Sequence, residues 1–254
     1  MALLEVKNLT KHFGGLTAVG DVTLELNEGE LVGLIGPNGA GKTTLFNLLT
    51  GVYEPSEGTV TLDGHLLNRK QPYKIASLGL GRTFQNIRLF KDLTVLDNVL
   101  IAFSNHHKQH VFASFLRLPA FYKNEKELKA KALELLKIFD LDGDAETLAK
   151  NLAYGQQRRL EIVRALATEP KILFLDEPAA GMNPQETAEL TELIRRIKDE
   201  FKITIMLIEH DMNLVMEVTE RIYVLEYGRL IAHGTPDEIK NNKRVIEAYL
   251  GGEA

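Results

Sequence analysis

The sequence feature that most constrains the fold is a glycine-rich run that directly follows an apolar segment. Residues 36–43 read Gly-Pro-Asn-Gly-Ala-Gly-Lys-Thr, and residues 31–35 before them read Leu-Val-Gly-Leu-Ile. A segment with no polar side chain predicts a strand that is buried on both faces, as in a parallel sheet covered by helices. A leucine-rich segment follows from Lys42 to Thr50, and Gly51 is suited to end it as a helix. The chain therefore builds its core from a strand, a glycine-rich turn and a helix.

The same run matches the Gly-x-x-x-x-Gly-Lys-Thr pattern of loops that bind nucleotide phosphates. Glycines let successive backbone N–H groups turn inward, and the helix N-terminus adds partial positive charge. Lys42 then supplies a cation for the β- and γ-phosphates, and the Thr43 hydroxyl is suited to ligate Mg²⁺. The alternative, a turn with an accidental lysine, leaves the flanking strand and helix unexplained. We predict that the site consists of Gly36, Pro37, Asn38, Gly39, Ala40, Gly41, Lys42, Thr43 and Thr44.

Two further apolar runs end in residues that suit phosphate chemistry. Residues 172–175 are followed by Asp176 and Glu177, and we expect this strand to neighbour the first. Beside a phosphate loop, one acid holds Mg²⁺ and the next orients the attacking water. We assign Asp176 to the metal and Glu177 to catalysis. His210 follows the run 203–208, where it could bond the γ-phosphate. Strands often end in surface acids, and a lone histidine is more often a surface residue, so both assignments depend on the phosphate loop.

The order of the hydrophobic patterns predicts an α/β fold. We expect a P-loop NTPase core with a mostly parallel sheet, an N-terminal antiparallel β-subdomain and an inserted α-helical subdomain. Alternating apolar positions predict the antiparallel strands, and a helical pattern runs from about Asn86 to Lys150. The expected boundaries are 1–85 and 160–234 for the core, 86–159 for the insert and 235–254 for a short helical tail. The stripes that carry these predictions are Leu4, Val6, Val22, Leu24, Leu26, Val60 and Leu62, and then Leu128, Ala132, Leu135, Leu136 and Phe139.

Composition excludes several classes of function. A net charge of −5 argues against broad electrostatic binding of nucleic acid, and the absence of cysteine rules out disulfides and thiolate metal sites. No signal-peptide pattern and no run of about 18 apolar residues occur, so we expect any membrane role to act through a partner. His106, His107 and His110 lack carboxylate or cysteine neighbours at a telling spacing, which favours a solvated loop over a metal site.

Residues 152–160 read Leu-Ala-Tyr-Gly-Gln-Gln-Arg-Arg-Leu and lie upstream of the acidic pair. This resembles the signature sequence of ATP-binding-cassette ATPases, usually Leu-Ser-Gly-Gly-Gln, and the resemblance extends from Leu3 to about Leu250. It implies that two cassettes pack head to tail. Each ATP then lies between the phosphate loop of one cassette and the signature of the other, here Ala153, Tyr154, Gly155 and Gln156.

The resemblance also assigns two residues outside these motifs. It implies that Gln85 contacts Mg²⁺ and the attacking water, and that Phe13 stacks on the adenine. Without the resemblance, Gln85 would be read as a surface residue and Phe13 could equally belong to the core. The groove that receives a cytoplasmic helix of the membrane partner is expected at Ile87, Leu89 and Phe90, although these apolar residues could also be plain core.

More narrowly, the chain resembles the larger of the two ATPases of branched-chain amino acid importers. The segments that carry this resemblance are 82–90, 152–162, 176–184, 208–212 and 245–251, together with the extra length between Ala102 and Asn124. It implies ATP and Mg²⁺ as cofactors and a peripheral location at the cytoplasmic face of the cell membrane. The implied partners are a second ATPase subunit, identical or different, two transmembrane permease subunits and, indirectly, an extracytoplasmic substrate-binding protein. The alternatives are an exporter of lipid or polysaccharide, and a soluble cassette ATPase of translation or DNA repair.

Three residues depart from the superfamily pattern. Ala153 replaces the signature serine, Asn183 stands where aspartate is usual, and Phe13 replaces the commoner tyrosine. The loss of the serine hydroxyl removes one donor that could reach the γ-phosphate. The departures at Ala153 and Asn183 also occur in the branched-chain subfamily, so they support the narrower match.

Overall fold

The computed structural model describes residues 2–103 and 119–250, and for residues 119–124 it describes the backbone only. The three histidines expected in a solvated loop fall outside these ranges. The chain divides into two compact units, one formed by Met1–Arg82 with Lys171–Ala254 and the other by Thr83–Pro170. Residues 83–85 and 160–170, which we assigned to the core, group with the helical unit, and one helix, Tyr154–Leu166, continues from the signature across the expected boundary at residue 160.

The first unit contains two sheets. Its strands are β1 (Ala2–Phe13), β2 (Leu16–Asn27), β3 (Leu31–Ile35), β4 (Glu57–Leu62), β5 (His65–Leu66), β6 (Leu80–Arg82), β7 (Ile172–Asp176), β8 (Thr204–Ile208), β9 (Arg221–Glu226) and β10 (Arg229–Gly234). Its helices are α1 (Lys42–Leu49), α2 (Pro72–Ser77), α6 (Pro184–Phe201), α7 (Met212–Val218), α8 (Pro236–Lys240) and α9 (Lys243–Leu250). The second unit contains α3 (Val95–Phe103), α4 (Pro119–Ile138) and α5 (Tyr154–Leu166).

The central sheet has the strand order β10-β9-β3-β8-β7-β6. All neighbouring strands in it are parallel except β10, which pairs antiparallel with β9. Every residue of β3, β7 and β8 is buried, as the apolar runs predict. The expectation that β7 neighbours β3 is wrong, because β8 lies between them and pairs with both. The mostly parallel α/β architecture is confirmed.

The second sheet of the first unit is antiparallel, with the order β2-β1-β4-β5. The alternating positions predicted to face the core are all buried, because β-strand side chains point to opposite faces in turn. This is the predicted N-terminal antiparallel subdomain. Asn183, Pro184 and Glu186 have the spacing that predicts a helix start with a capping box, and α6 begins there. The Asn183 side chain accepts from the backbone N–H groups of Gln185 and Glu186, and the Glu186 carboxylate accepts from the Asn183 N–H. Asparagine therefore serves as a helix cap here in place of the usual aspartate.

The second unit is helical, but its helices begin later than the sequence pattern predicts. The prediction of helix from about Asn86 is wrong, since the first helix of this unit starts at Val95. The Asn98 side chain accepts from the Phe90 N–H and donates to the Phe90 C=O. The backbone before α3 is therefore held by a side chain and not by the hydrogen bonds of a helix. The stripe along α4 is buried as predicted at Leu128, Ala132, Leu135 and Leu136. Among the described helices, none combines the length and apolar character needed to cross a membrane.

Candidate nucleotide site

The glycine-rich run forms a loop at residues 36–41, between β3 and α1, whose shape requires glycine. Gly36, Gly39 and Gly41 all have positive φ angles, of 156°, 79° and 99°. A Cβ atom on Gly36 would lie 2.1 Å from the carbonyl oxygen of Leu225, and one on Gly41 would lie 2.7 Å from that of Ala18. Neither position therefore tolerates a side chain without movement of the backbone. Asn38 and Gly39 are exposed, Pro37 is half-buried and Ala40 is buried.

Lys42 is the first residue of α1 and folds back over the loop. Its Nζ donates to the carbonyl oxygens of Gly36 at 2.6 Å and Pro37 at 3.1 Å, and the side chain is buried. Burial lowers the pKa of the Lys42 ammonium, because desolvation disfavours the charged form, while the charge of Glu177 acts in the opposite direction. Thr43 beside it is exposed and Thr44 half-buried, so the Thr43 hydroxyl is open to a ligand.

Asp176 and Glu177 lie at the same edge of the sheet as the end of β3. Ile208 pairs with Asp176 on one side and with Leu34 on the other, which fixes the three strand ends at one level. The Asp176 side chain is 6% exposed. Glu177 has left the strand, with φ of +46°, and its backbone N–H donates to the Ile208 carbonyl at 2.8 Å. The charge of Glu177 acts on Lys42, and Asp176 ends β7 at the carboxyl edge of the parallel sheet, where ligands bind in such folds.

His210 follows β8, the strand next to β3, as the sequence predicts. Its side chain is 61% exposed, whereas that of Glu209 before it is fully buried. The Glu209 carboxylate accepts from the backbone N–H of Ala179 at 2.8 Å and of His210 at 3.1 Å. Burial raises the pKa of Glu209, partly offset by these N–H groups. Sequence reasoning assigned no role to Glu209; the available signal was an acid between an apolar strand and a candidate catalytic histidine.

A cleft of about 370 Å³ lies in the first unit beside part of the phosphate loop, and Lys42, Asp176 and Glu177 are not among the residues that line it. Gly36, Pro37, Asn38 and Ala40 line one side, and His210 lines another. The remainder of the lining comes from the end of β9 and from α9, at Glu226, Tyr227, Ala248 and Tyr249. The structure therefore brings together the phosphate loop and the predicted histidine, and it adds a C-terminal wall that the sequence motifs do not include.

Phe13 lies at the end of β1, where the chain turns into β2. Its ring is 44% exposed and meets the edge of Tyr53, with the ring centroids 5.4 Å apart at 79°. The Lys11 ammonium lies 5.2 Å from the Phe13 ring centroid and donates to the Glu54 carbonyl at 2.7 Å. Since it is 44% exposed, Phe13 is not a plain core residue.

The signature segment forms the start of α5 in the second unit. Ala153 is the N-cap residue, with extended φ and ψ of −61° and 156°, and its methyl group cannot accept a hydrogen bond. The Gln156 side chain accepts from the Ala153 backbone N–H at 3.1 Å and donates to Asp144 at 2.9 Å. Tyr154 is 46% exposed and Gly155 is buried. The helix N-terminus thus has no side-chain cap from Ala153, which suits an anion.

Gln85 is exposed, and its backbone is held by side chains of α5. Arg158 donates to the Phe84 carbonyl at 2.8 Å and to the Gln85 carbonyl, while Glu161 accepts from the Phe84 N–H at 3.2 Å. Arg158 and Glu161 form a buried ion pair at 3.2 Å. Burial raises the pKa of Glu161 despite the Arg158 charge beside it. Sequence reasoning did not predict that Arg158 and Glu161 hold the backbone of residues 84 and 85. The available signal was a pair of opposite charges three residues apart on an otherwise apolar helical face.

The residues expected to form a docking groove also lie in the second unit. Ile87 and Leu89 are half-buried, and Phe90 is 45% exposed with the Arg164 guanidinium 4.8 Å from its ring centroid. They are therefore not plain core, and apolar surface remains open to a partner.

A strand, a glycine-rich phosphate loop and a helix, with acids at the carboxyl edge of a parallel sheet, define a P-loop nucleotide-binding protein. Comparison with known proteins narrows this class. The model of the ABC transporter family matches residues 19–180, and the model described as branched-chain amino acid ATP-binding cassette transporter matches residues 229–254. The chain belongs to the ABC transporter family, and it is an ATP-binding ATPase subunit of that family.

Individual relatives agree with this family. The high-affinity branched-chain amino acid transport ATP-binding protein LivG of Salmonella typhimurium is 52% identical, over 98% of both chains. The lipopolysaccharide export system ATP-binding protein LptB of Escherichia coli (strain K12) is 34% identical, over 99% of this chain and 98% of the relative. Among solved structures, the ADP conformation of the cassette MJ1267 superposes with a TM-score of 0.84 at 31% identity, covering 99% of both chains.

Proposed function

We propose that this chain couples MgATP binding and hydrolysis to the import of branched-chain amino acids through separate membrane permeases. The observation that carries the proposal is the convergence of the phosphate loop, Glu177 and His210 at one edge of the parallel sheet. The strand ends support it, since Ile208 pairs with both Leu34 and Asp176, and the charge of Glu177 acts on the Lys42 ammonium.

The phosphate loop and its neighbours bind the nucleotide. Backbone N–H groups of residues 36–44 and the Lys42 ammonium receive the phosphates, and Phe13 stacks on the adenine. Thr43 and Asp176 would hold Mg²⁺. Their oxygen atoms fit this ion, which takes one or two protein ligands besides phosphates and water. Bound Mg²⁺ neutralises charge on the phosphates during hydrolysis.

Hydrolysis needs no covalent intermediate. Glu177 orients a water molecule in line with the γ-phosphorus and polarises it, and the exposed His210 side chain hydrogen-bonds the γ-phosphate. The buried Glu209 carboxylate fixes the His210 backbone and the loop after Glu177 together, so that both groups keep their positions.

A second cassette completes each site. In the head-to-tail dimer, the start of α5 in one subunit faces the γ-phosphate bound by the other, through Ala153, Tyr154, Gly155 and Gln156. The helix dipole and the uncapped N–H groups supply the attraction that a serine hydroxyl gives elsewhere in the superfamily.

The membrane assembly comprises a second ABC ATPase subunit, identical or different, and two transmembrane permeases at whose cytoplasmic face the chain sits. An extracytoplasmic binding protein delivers the cargo. The name of the Salmonella relative and the match of residues 229–254 support branched-chain amino acids as that cargo. The partly exposed Ile87, Leu89 and Phe90 are the surface that receives a permease helix.

Reconstitution tests the proposal. The chain is placed in liposomes with the permeases, the second cassette and the binding protein that accompany it, and uptake of labelled leucine, isoleucine and valine is measured. We expect ATP-dependent uptake that Lys42→Ala abolishes and that Lys131→Ala, an exposed lysine of α4, leaves unchanged. ATP-dependent movement of lipid or polysaccharide in the opposite direction, without amino acid uptake, would show that the chain serves an exporter and would overturn the proposal.

A further inference from the structure

The phosphate loop is supported from behind by the C-terminal part of the chain. The Gly228 backbone N–H, in the turn between β9 and β10, donates to the Ala40 carbonyl at 2.8 Å. Gly36 packs so closely against the Leu225 carbonyl that no side chain fits between them. The conformation of the loop therefore depends on residues about 190 positions later in the sequence, as the register of β3 with β9 requires.

Helix α9 is attached to the same strand end. Arg244 forms an ion pair with Glu226, the last residue of β9, and the Asn242 side chain caps the helix by accepting from the Arg244 N–H at 2.9 Å. Val245 and Ala248 are buried beneath it. This fixes the angle of α9, so that Ala248 and Tyr249 face the phosphate loop across the cleft of about 370 Å³.

Tyr249 brings a polar atom to the first residue of the loop. Its hydroxyl is buried and has no hydrogen-bond partner of normal geometry in the part of the chain that the structure describes. Burial raises the pKa of this phenol, and the backbone of Gly36 lies close enough to lower it in part. A buried hydroxyl without a complete bond is uncommon in native proteins, and the Gly36 backbone is the partner within its reach.

Nucleotide binding changes which donors hold Gly36. In this structure the Gly36 carbonyl accepts from Lys42 at 2.6 Å. Once the Lys42 ammonium turns to phosphates, the Gly36 carbonyl loses that donor, and Gly36 is held less firmly on this side. The Tyr249 hydroxyl is in place to accept from the Gly36 N–H, on the other side of the residue, and to hold its backbone there.

We propose that Tyr249 is a positioning residue for the phosphate loop, which fixes the Gly36 peptide through its hydroxyl when a nucleotide binds. The proposal rests on the nucleotide site assigned above to Lys42. It gives the C-terminal helix a part in nucleotide binding.

Calorimetric titration of the full chain with MgATP and MgADP tests this. Tyr249→Phe removes only the hydroxyl, and we expect nucleotide affinity to fall about threefold to tenfold, the worth of one neutral hydrogen bond. Tyr73→Phe on the exposed face of α2 is the matched control and keeps wild-type affinity. Lys42→Ala is titrated alongside: if it binds nucleotide normally, the assigned site is wrong and this inference with it. If Lys42→Ala loses binding while Tyr249→Phe keeps it, only the inference is overturned.

A spectroscopic signal separates positioning from packing. In protein labelled with ¹³C at the tyrosine Cζ, the resonance absent from Tyr249→Phe belongs to Tyr249. We expect this resonance to shift on addition of MgADP, because its hydroxyl completes a bond to Gly36, while the Tyr73 resonance stays in place. A Tyr249 resonance that does not respond to nucleotide overturns the proposal. So does a loss of affinity that is matched by an equal loss in Tyr73→Phe.

Discussion

Glu209 accepts a hydrogen bond from the backbone N–H of Ala179 at 2.8 Å across 30 positions of sequence. Its other carboxylate oxygen accepts from the His210 N–H at 3.1 Å. A buried acid thus joins the loop after β7, which carries Glu177, to the loop after β8, which carries His210. The distance between Glu177 and His210, which we assign to the same γ-phosphate, therefore depends on the Glu209 carboxylate.

Removal of this carboxylate should destabilise the protein. Glu209→Ala leaves two backbone N–H groups without their acceptor, at a cost of about 1–3 kcal/mol for each group that stays buried. We expect the free energy of unfolding in urea to fall by about 1–3 kcal/mol for each N–H group that remains buried without an acceptor. The ATPase rate should fall as well. Glu192→Ala, a glutamate with a 74% exposed side chain on α6, should change stability by less than about 0.5 kcal/mol. Wild-type stability in Glu209→Ala would contradict the bridging role.

Glu209 should also give stability a dependence on pH. Burial raises its pKa in the folded state above the ordinary value of 4.5. Between these two pKa values the folded state binds more protons than the unfolded state, so the free energy of unfolding decreases as pH rises. We expect a urea series from pH 4.5 upward to show this decrease, and Glu209→Gln, which does not titrate, to flatten it. Equal slopes in the two proteins would show that another group is responsible.

The phosphate loop should not accept alanine at its first position. In Gly36→Ala the new methyl group would lie 2.1 Å from the Leu225 carbonyl oxygen, so β9 or the loop must move. We expect a loss of about 1–3 kcal/mol in stability and at least about tenfold weaker MgATP binding, measured by urea unfolding and calorimetry. Gly29→Ala is the comparison, since its φ is +74° but nothing lies within 4 Å of the added atom. That variant should show only backbone strain and normal binding.

Glu177→Gln should separate binding from hydrolysis. Glutamine keeps the size of the side chain and removes the charge that polarises water, so MgATP still binds while the ATPase rate falls at least about a hundredfold. Equilibrium binding and phosphate release measure the two quantities, and a closed, inactive cassette dimer should accumulate. Phosphate release at the normal rate would transfer the catalytic role to another residue.

Ala153→Ser should stabilise the second unit. Ala153 has the extended backbone of an N-cap residue but no side-chain acceptor, and a serine hydroxyl there could accept from the Gln156 N–H. The expected gain is about 0.5–2 kcal/mol in thermal or urea unfolding, with a modest change in turnover. Ala153→Val, which adds atoms but no acceptor, should give no gain. A complete loss of ATPase activity in Ala153→Ser would reveal tight packing at this position.

Local patterns were enough to predict much of the fold. The apolar runs of β3, β7 and β8 predict fully buried strands, and Asn183, Pro184 and Glu186 predict the start of α6. These predictions succeed because burial periodicity and helix capping depend on neighbours in sequence. The helix expected from Asn86 failed because Asn98 and the side chains of α5 compete for the backbone there.

The sequence by itself determined the phosphate loop, the acidic pair and the order of strands and helices, because each depends on residue types at fixed spacing. Only the tertiary structure decided that β8 separates β3 from β7, that Glu209 joins the loops after β7 and β8, and that Tyr249 lies close to Gly36. These are contacts between segments far apart in the chain, and their formation depends on sheet order and buried packing, which no local spacing encodes.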